Sequence, residues 1–283
     1  MINDVGIVGG GIMGSGIAEV AARSGCEVVL REVDEAAVEG AQARLTASLD
    51  KAVRNGKLAA RERDDIISRV RFTDTLDDLS ECDLVAEAAI EDEDAKTAIF
   101  AALGKVVRPH ALLTSNTSSI PIMKLAAVTS GPERVVGMHF FNPATVLPLV
   151  EVIPCELTSD ETVQRVQEFA HDRLGKTIIT AKDRAGFVVN ALLIPYLLAA
   201  IRMVDAGLAS AEDIDTAMVA GCAHPMGPLA LADLIGLDTT AAVAVSMYEE
   251  TKEQLYAPPA LLLRKVEAGD LGRKTGRGFF TYH

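Results

Sequence analysis

His139, in the run His139-Phe140-Phe141-Asn142-Pro143, is followed twelve positions later by Glu151. An imidazole ordinarily titrates at about pH 6.5, so it can take up and release a proton under neutral conditions. A carboxylate bonded to its other ring nitrogen fixes the tautomer and stabilises the imidazolium, as in sites where histidine serves as a general base. Both residues lie in apolar runs, 135–141 and 147–153, separated by a short loop with Asn142 and Pro143. That pattern predicts two antiparallel strands. With the turn centred near Thr145, positions 139 and 151 face each other, with Cβ atoms about 4.5–5.5 Å apart. The same pair also suits a structural reading, in which a buried His meets a backbone carbonyl and the Glu sits at a strand edge.

A second constellation lies at the N-terminus. A short apolar strand at 5–8 runs into Gly9-Gly10-Gly11-Ile12-Met13-Gly14, then a helical pattern through Ala22 that stops at Gly25. The next strand, 27–32, ends in Glu32, 18 residues beyond Gly14. In such a strand–turn–helix unit Gly9 permits the tight turn, Gly11 admits a pyrophosphate and Gly14 lets helix and strand pack closely. Backbone N–H groups at the helix start then hold the anion, so all six loop residues are candidate cofactor contacts. Glu32 suits the ribose hydroxyls of an adenosine and repels a 2′-phosphate, which favours NAD over NADP. Arg31 beside it is a cation that works against that repulsion.

These residues need a scaffold. After the opening βαβ unit a long charged helical region covers 34–69, broken near Asn55-Gly56. Strand-like runs recur at 70–73, 83–88, 111–115, 135–141, 147–153 and 177–181, with helical patterns at 93–107 and 161–174. The alternation predicts a Rossmann-type, doubly wound, mainly parallel α/β sheet, the turn-back adding an antiparallel strand at one edge. Composition changes at Asp183-Arg184-Ala185-Gly186. We therefore expect a dinucleotide-binding domain over 1–184 and a smaller all-α domain over 185–283. In the latter, 187–206 reads as an apolar helix kinked by Pro195, Ser210 as a cap and Pro228 as a first-turn proline.

Bulk properties narrow the partners. The chain has 283 residues and a formal charge of -13, which argues against general nucleic-acid binding. A phosphorylated ligand would need the few cations concentrated locally. Cys26, Cys82, Cys155 and Cys222 form no CxxC pair, so neither a metal site nor a disulfide framework is expected. No targeting segment is visible, and the apolar stretch 191–201 is shorter than the roughly 20 residues that span a bilayer. A soluble, cytoplasmic protein without membrane or nucleic-acid partners is the expectation. His224 has no carboxylate at a recognisable spacing and is read as shaping a turn.

Further motifs follow in order: Ser115-Asn116-Thr117-Ser118-Ser119, Gly186-Phe187-Val188-Val189-Asn190, His224-Pro225-Met226-Gly227-Pro228, Gly236-Leu237-Asp238 and the tail from Gly272 to Phe280. With the glycine loop and the His139 segment, they make the chain resemble the 3-hydroxyacyl-CoA dehydrogenase family, nearest its bacterial 3-hydroxybutyryl-CoA branch, over essentially its whole length. The resemblance implies reversible NAD-dependent oxidation of a (3S)-3-hydroxyacyl-CoA thioester, with His139 as catalytic base and Glu151 as its partner. It implies that Ser118 and Asn190 meet the reacting oxygen and thioester region, with Ser118 also beside the cofactor. Glu91, Lys96 and Asn142 match contacts around the nicotinamide ribose, and Ser48 and Lys274 match positions that touch coenzyme A. A family lysine that meets the coenzyme A phosphates aligns near Asn55, leaving Lys51, Arg54 or Lys57 as substitutes or as a merely solvated face. A homodimer through the small helical domain is also implied. Two other readings remain open: a sugar-acid (gulonate-type) dehydrogenase, and a non-catalytic, crystallin-like NAD-binding protein.

Overall fold

The computed structural model describes residues 1–282, which form two compact units, Met1–Asp183 and one from Arg184 onward. The first contains β1 (Asp4–Val8), α1 (Ile12–Arg23), β2 (Glu27–Arg31), α2 (Glu35–Arg54), α3 (Ala60–Ser68) and β3 (Val70–Thr73). It continues with β4 (Leu84–Glu87), α4 (Glu93–Val106), β5 (Leu112–Ser115), α5 (Ile122–Ala127), β6 (Val135–Phe140), β7 (Leu149–Ile153), α6 (Asp160–Glu168) and β8 (Thr177–Thr180). All eight strands form one sheet in the order β3-β2-β1-β4-β5-β6-β7-β8. Every pairing is parallel except β6 with β7. The chain steps outward from β1 to β3, then outward the other way from β4. Right-handed crossovers in opposite directions put helices on opposite faces. β4, β5 and β6 are buried along their whole length, as continuous apolar runs covered on both sides should be.

Local signals set the helix starts. Asp34 and Asp92 accept from the N–H groups of Ala37 and Ala95, each at 2.8 Å, and cap α2 and α4. α2 gives way to α3 across Gly56, whose φ is +67°.

Two expectations need revision, and one element went unpredicted. The antiparallel strand β7 does not lie at the sheet edge, because β8 pairs with it in parallel and takes up its outer hydrogen bonds. The Thr-flanked, half-exposed β8 is the edge instead, a suitable strand to face water. The helix expected to reach residue 174 is regular only to Glu168; Phe169–Arg173 widen into a π turn. The short helix α5 has no apolar periodicity long enough to reveal it.

The second unit contains α7 (Val189–Asp205), α8 (Ala211–Cys222), α9 (Pro228–Ile235), α10 (Leu237–Thr251) and α11 (Ala260–Glu267). α7 runs through Pro195 without ending there. Ser210 caps α8, accepting from Asp213 N at 3.1 Å, and Pro228 opens α9. The core includes Ile194, Leu197, Leu198, Ile201, Leu229, Leu237 and Met247. Buried Asp233 accepts from Phe279 N, Phe280 N and the Tyr282 hydroxyl at 2.9–3.0 Å, which fastens the C-terminal segment. A Cβ on Gly278 would stand 1.9 Å from the Asp233 carboxylate, so that tail glycine is a packing requirement. Among the described residues no single helix is long and apolar enough to cross a membrane.

Candidate active site

In the glycine loop, Gly9 has φ +95°, and a Cβ there would lie 2.7 Å from the backbone of Ala89, beyond β4. A Cβ on Gly14 would fall 1.7 Å from the Gly9 carbonyl oxygen. Gly10 is equally constrained, its Cβ direction ending 2.4 Å from that of Ala41 on α2. Gly11 differs: nothing lies within 4 Å of where its Cβ would be. Three glycines thus close the protein on itself and one leaves room for a ligand. Gly11 is also the N-cap of α1 and has no side chain to occupy the first N–H groups of the helix. The loop sits at the switch point between β1 and β4, where ligands of such sheets bind.

Glu32 stands just past β2, its Oε1 accepting from Gly10 N at 2.6 Å and its Oε2 from Val33 N at 3.1 Å. Arg31 donates through Nε to the Asp74 carbonyl at 3.2 Å, which ties its side chain to the segment just past β3. Ile12, Val33 and Ile90 follow β1, β2 and β4 and are 71%, 68% and 71% exposed. Exposed apolar residues at adjacent strand ends suit the flat faces of a dinucleotide. Val33 and Ile90 were not among the sequence candidates.

The loops after β4 and β5 are joined by charge. Lys96 on α4 is 1% exposed, and its Nζ lies 2.5 Å from Oε1 of Glu87, which is fully buried at the end of β4. It also lies 3.4 Å from Oε2 of Glu91. Glu87 accepts further from Ala89 N at 2.7 Å and from the Ser115 hydroxyl at 2.6 Å. Glu91 in turn gathers the 115–119 motif: its Oε1 accepts from the Thr117 hydroxyl at 2.5 Å, the Ser118 N–H at 3.0 Å and the Ser119 hydroxyl at 2.8 Å. Burial alone would push the Glu91 carboxyl up, but the Lys96 charge and the bonds from Thr117, Ser119 and Ser118 outweigh it, and the group titrates below its usual range. Lys96 is therefore a sealed strut beneath the site. Glu87, which the sequence did not single out, is its principal partner.

His139 and Glu151 are direct partners in the β6–β7 register. His139 Nδ1 lies 2.8 Å from Glu151 Oε2, with the side chains 8% and 0% exposed. An ionised carboxylate can only accept, so Nδ1 carries the proton and the lone pair of the neutral ring belongs to Nε2. The Phe141 and His139 rings meet in a T-shaped contact at 4.6 Å between centroids, and Phe140 N donates to Asn116 Oδ1 at 2.8 Å, tying β6 to the 115–119 motif. A strand-borne imidazole with a buried carboxylate on one nitrogen is equipped to move a proton at the other.

Comparison with known proteins agrees with this chemistry. Residues 4–184 match the family described as 3-hydroxyacyl-CoA dehydrogenase, NAD binding domain, and residues 186–282 match 3-hydroxyacyl-CoA dehydrogenase, C-terminal domain. The chain belongs to the 3-hydroxyacyl-CoA dehydrogenase family. It is 57% identical over 282 residues, 99% of each chain, to a 3-hydroxybutyryl-CoA dehydrogenase of Mycobacterium tuberculosis. It is similar to the crystal structure of M. tuberculosis FadB2, with a TM-score of 0.98 and 56% identity, covering 100% of this chain and 99% of that one. The (S)-3-hydroxybutyryl-CoA dehydrogenase PaaH1 from Ralstonia eutropha gives a TM-score of 0.94 at 45% identity, with both chains fully covered.

In this dehydrogenase the remaining candidates fall into two groups. Asn142, joined to Pro143 by a cis peptide, and Ser48 on α2 line one cavity of about 220 Å³. The loop carrying Asn142 is fastened by buried Lys176, whose Nζ donates to the carbonyls of Ala144 and Leu147 at 2.6 and 2.8 Å. Burial pushes that ammonium below its ordinary range. Nothing in the local sequence around Lys176 signals this role. Asn190 and Lys274 belong to the second unit, Asn190 in the first turn of α7 and Lys274 with Nζ 2.6 Å from Asp238. Burial would raise the Asp238 carboxyl, but the Lys274 bond and charge and backbone N–H groups hold it low. His224 follows Ala223, whose φ is +55°, and its Nδ1 meets the Tyr196 hydroxyl at 3.0 Å.

Proposed function

We propose that this chain interconverts (S)-3-hydroxybutyryl-CoA and acetoacetyl-CoA with NAD, His139 serving as base and acid. The observation that supports the catalytic assignment most is the 2.8 Å pairing of His139 Nδ1 with Glu151. The open space at Gly11, the uncapped start of α1 and the carboxylate of Glu32 fit a dinucleotide without a 2′-phosphate. NAD supplies the hydride acceptor when bound. His139 Nε2 accepts the hydroxyl proton in oxidation and returns it in reduction, while Glu151 orients the ring and stabilises its protonated form. We assign Ser118 and Asn190 to the substrate oxygen and thioester region. Glu91 and Asn142 are assigned to the nicotinamide ribose, and Lys96 acts through Glu91. Ser48 and Lys274 are assigned to coenzyme A.

The sugar-acid and non-catalytic readings are not favoured by relatives matched over full length. We also read the protein as a cytoplasmic homodimer. The free state of all four cysteines supports the first point. For the second, Leu192 and Leu208 of the second unit are 74% and 72% exposed, and light scattering tests it. Turnover is tested by NADH consumption with acetoacetyl-CoA, compared with NADPH and with a longer 3-oxoacyl-CoA. Preference for NADH with acetoacetyl-CoA supports the proposal, and no turnover with either thioester refutes it.

A further inference from the structure

The cavity of about 220 Å³ lies within the first unit, walled by α1, α2 and the loop after β6. Arg44 is the one cation among its described lining residues, and lies one helical turn before Ser48, about 6 Å along the axis. Lys51, Arg54 and Lys57, the cations proposed from sequence, do not line it. Arg44 is held by one corner only: Nε donates to the Gly10 carbonyl at 2.8 Å, and neither Nη nitrogen bonds to a described residue. The carboxylate of Glu19, which also lines the cavity, is 1% exposed and is matched by Arg23 at 2.7 Å. The cavity therefore presents one uncompensated positive charge in a chain of net charge -13. A guanidinium pinned at Nε with both Nη groups available is a ready donor pair for phosphate oxygens.

We infer that Arg44 binds a phosphate group of an adenine nucleotide in this cavity. Two ligands bear that chemistry under the proposed function, on which this inference rests: the nucleotide half of the acyl-CoA and the dinucleotide cofactor. The Gly10 carbonyl keeps the Ser15 hydroxyl at 2.7 Å when Arg44 is changed, so the loop retains a partner.

The test uses Arg44→Met, which keeps an apolar stem, and Arg44→Lys, which keeps the charge. Calorimetric titration with CoA and with NADH needs no turnover, so it decides on Arg44 even if the proposed reaction fails. The KM for acetoacetyl-CoA and for acetoacetyl-pantetheine, which lacks the nucleotide, adds the control. Loss of one charge-assisted phosphate contact corresponds to about a tenfold weakening. A tenfold loss for CoA, with acetoacetyl-pantetheine unchanged, assigns the contact to the thioester. A tenfold loss for NADH assigns it to the cofactor. In either case Arg44→Lys recovers part of the affinity. Dissociation constants within twofold of wild type for both ligands overturn the inference, as does an equal loss on acetoacetyl-pantetheine.

Discussion

Two buried carboxylates of one sheet, Glu151 within β7 and Glu87 at the end of β4, each hold a basic partner, yet they do different things. Glu151 on β7 pairs with an imidazole at 2.8 Å, and Glu87 on β4 pairs with an ammonium at 2.5 Å. An imidazole exchanges its proton near neutral pH, whereas a lysine is a fixed charge with three donors. Accordingly His139 keeps 8% exposure, while Lys96 is sealed and its partner Glu87 is tied to Ser115 and Ala89. Under the proposed function, one pair moves a proton. The other holds Glu91, and through it the backbone and hydroxyls of residues 117–119, in place. The difference lies in the partner and in what surrounds it, not in the carboxylate.

Substitutions that separate the roles can break this comparison. The largest effect belongs to His139→Gln, which keeps an amide able to bond Glu151 but cannot carry the proton. We expect kcat to fall about 10²–10⁴-fold with NADH binding retained, measured by steady-state rates and a fluorescence titration. Near-normal turnover would place the chemistry elsewhere. Next is Glu87→Leu, which leaves the Lys96 ammonium buried without its main partner. Removing one member of a buried pair costs about 3–5 kcal/mol, so denaturant unfolding should show a loss of that order. Adding Lys96→Met should recover most of it; a double variant no more stable than the single would show that the pair is not the strut described here.

A smaller effect is expected at Glu91, half open to solvent. Its carboxyl titrates below the usual range, so its ionised form contributes stability that is present above the unfolded value, about 4.3, and lost as pH falls through the folded one. Glu91→Gln should therefore lower the melting temperature modestly at pH 6 and progressively less as the pH falls below about 4. A difference that stays constant with pH would mean that the charge contributes nothing.

The same contrast shows what the sequence makes legible. The β6–β7 register follows from two apolar runs and a short polar turn, so the apposition of His139 and Glu151 can be read from spacing alone. The glycine loop is legible for the same reason, since each glycine answers a local backbone demand. Gly10 is the exception, because its neighbour Ala41 comes from a distant helix. Glu87 and Lys96 look like ordinary charges around a strand end and a helix start; only the fold reveals that α4 turns Lys96 inward. Asp183 shows the same limit. It accepts from the N–H groups of Ile122 and Met123, some sixty residues away, at 2.7 and 2.8 Å. β8 was readable as a strand, but its place outside β7 was not, because partner choice at a sheet edge leaves no mark in local periodicity.

The pH dependence of kcat in both directions tests most directly whether His139 handles the proton. Oxidation of 3-hydroxybutyryl-CoA needs the unprotonated ring, so its rate should fall as pH drops. Reduction of acetoacetyl-CoA needs the protonated ring, so its rate should fall as pH rises. Both limbs should shift together in Glu151→Gln and vanish from the residual activity of His139→Gln. Retention of the two limbs in His139→Gln would contradict the assignment.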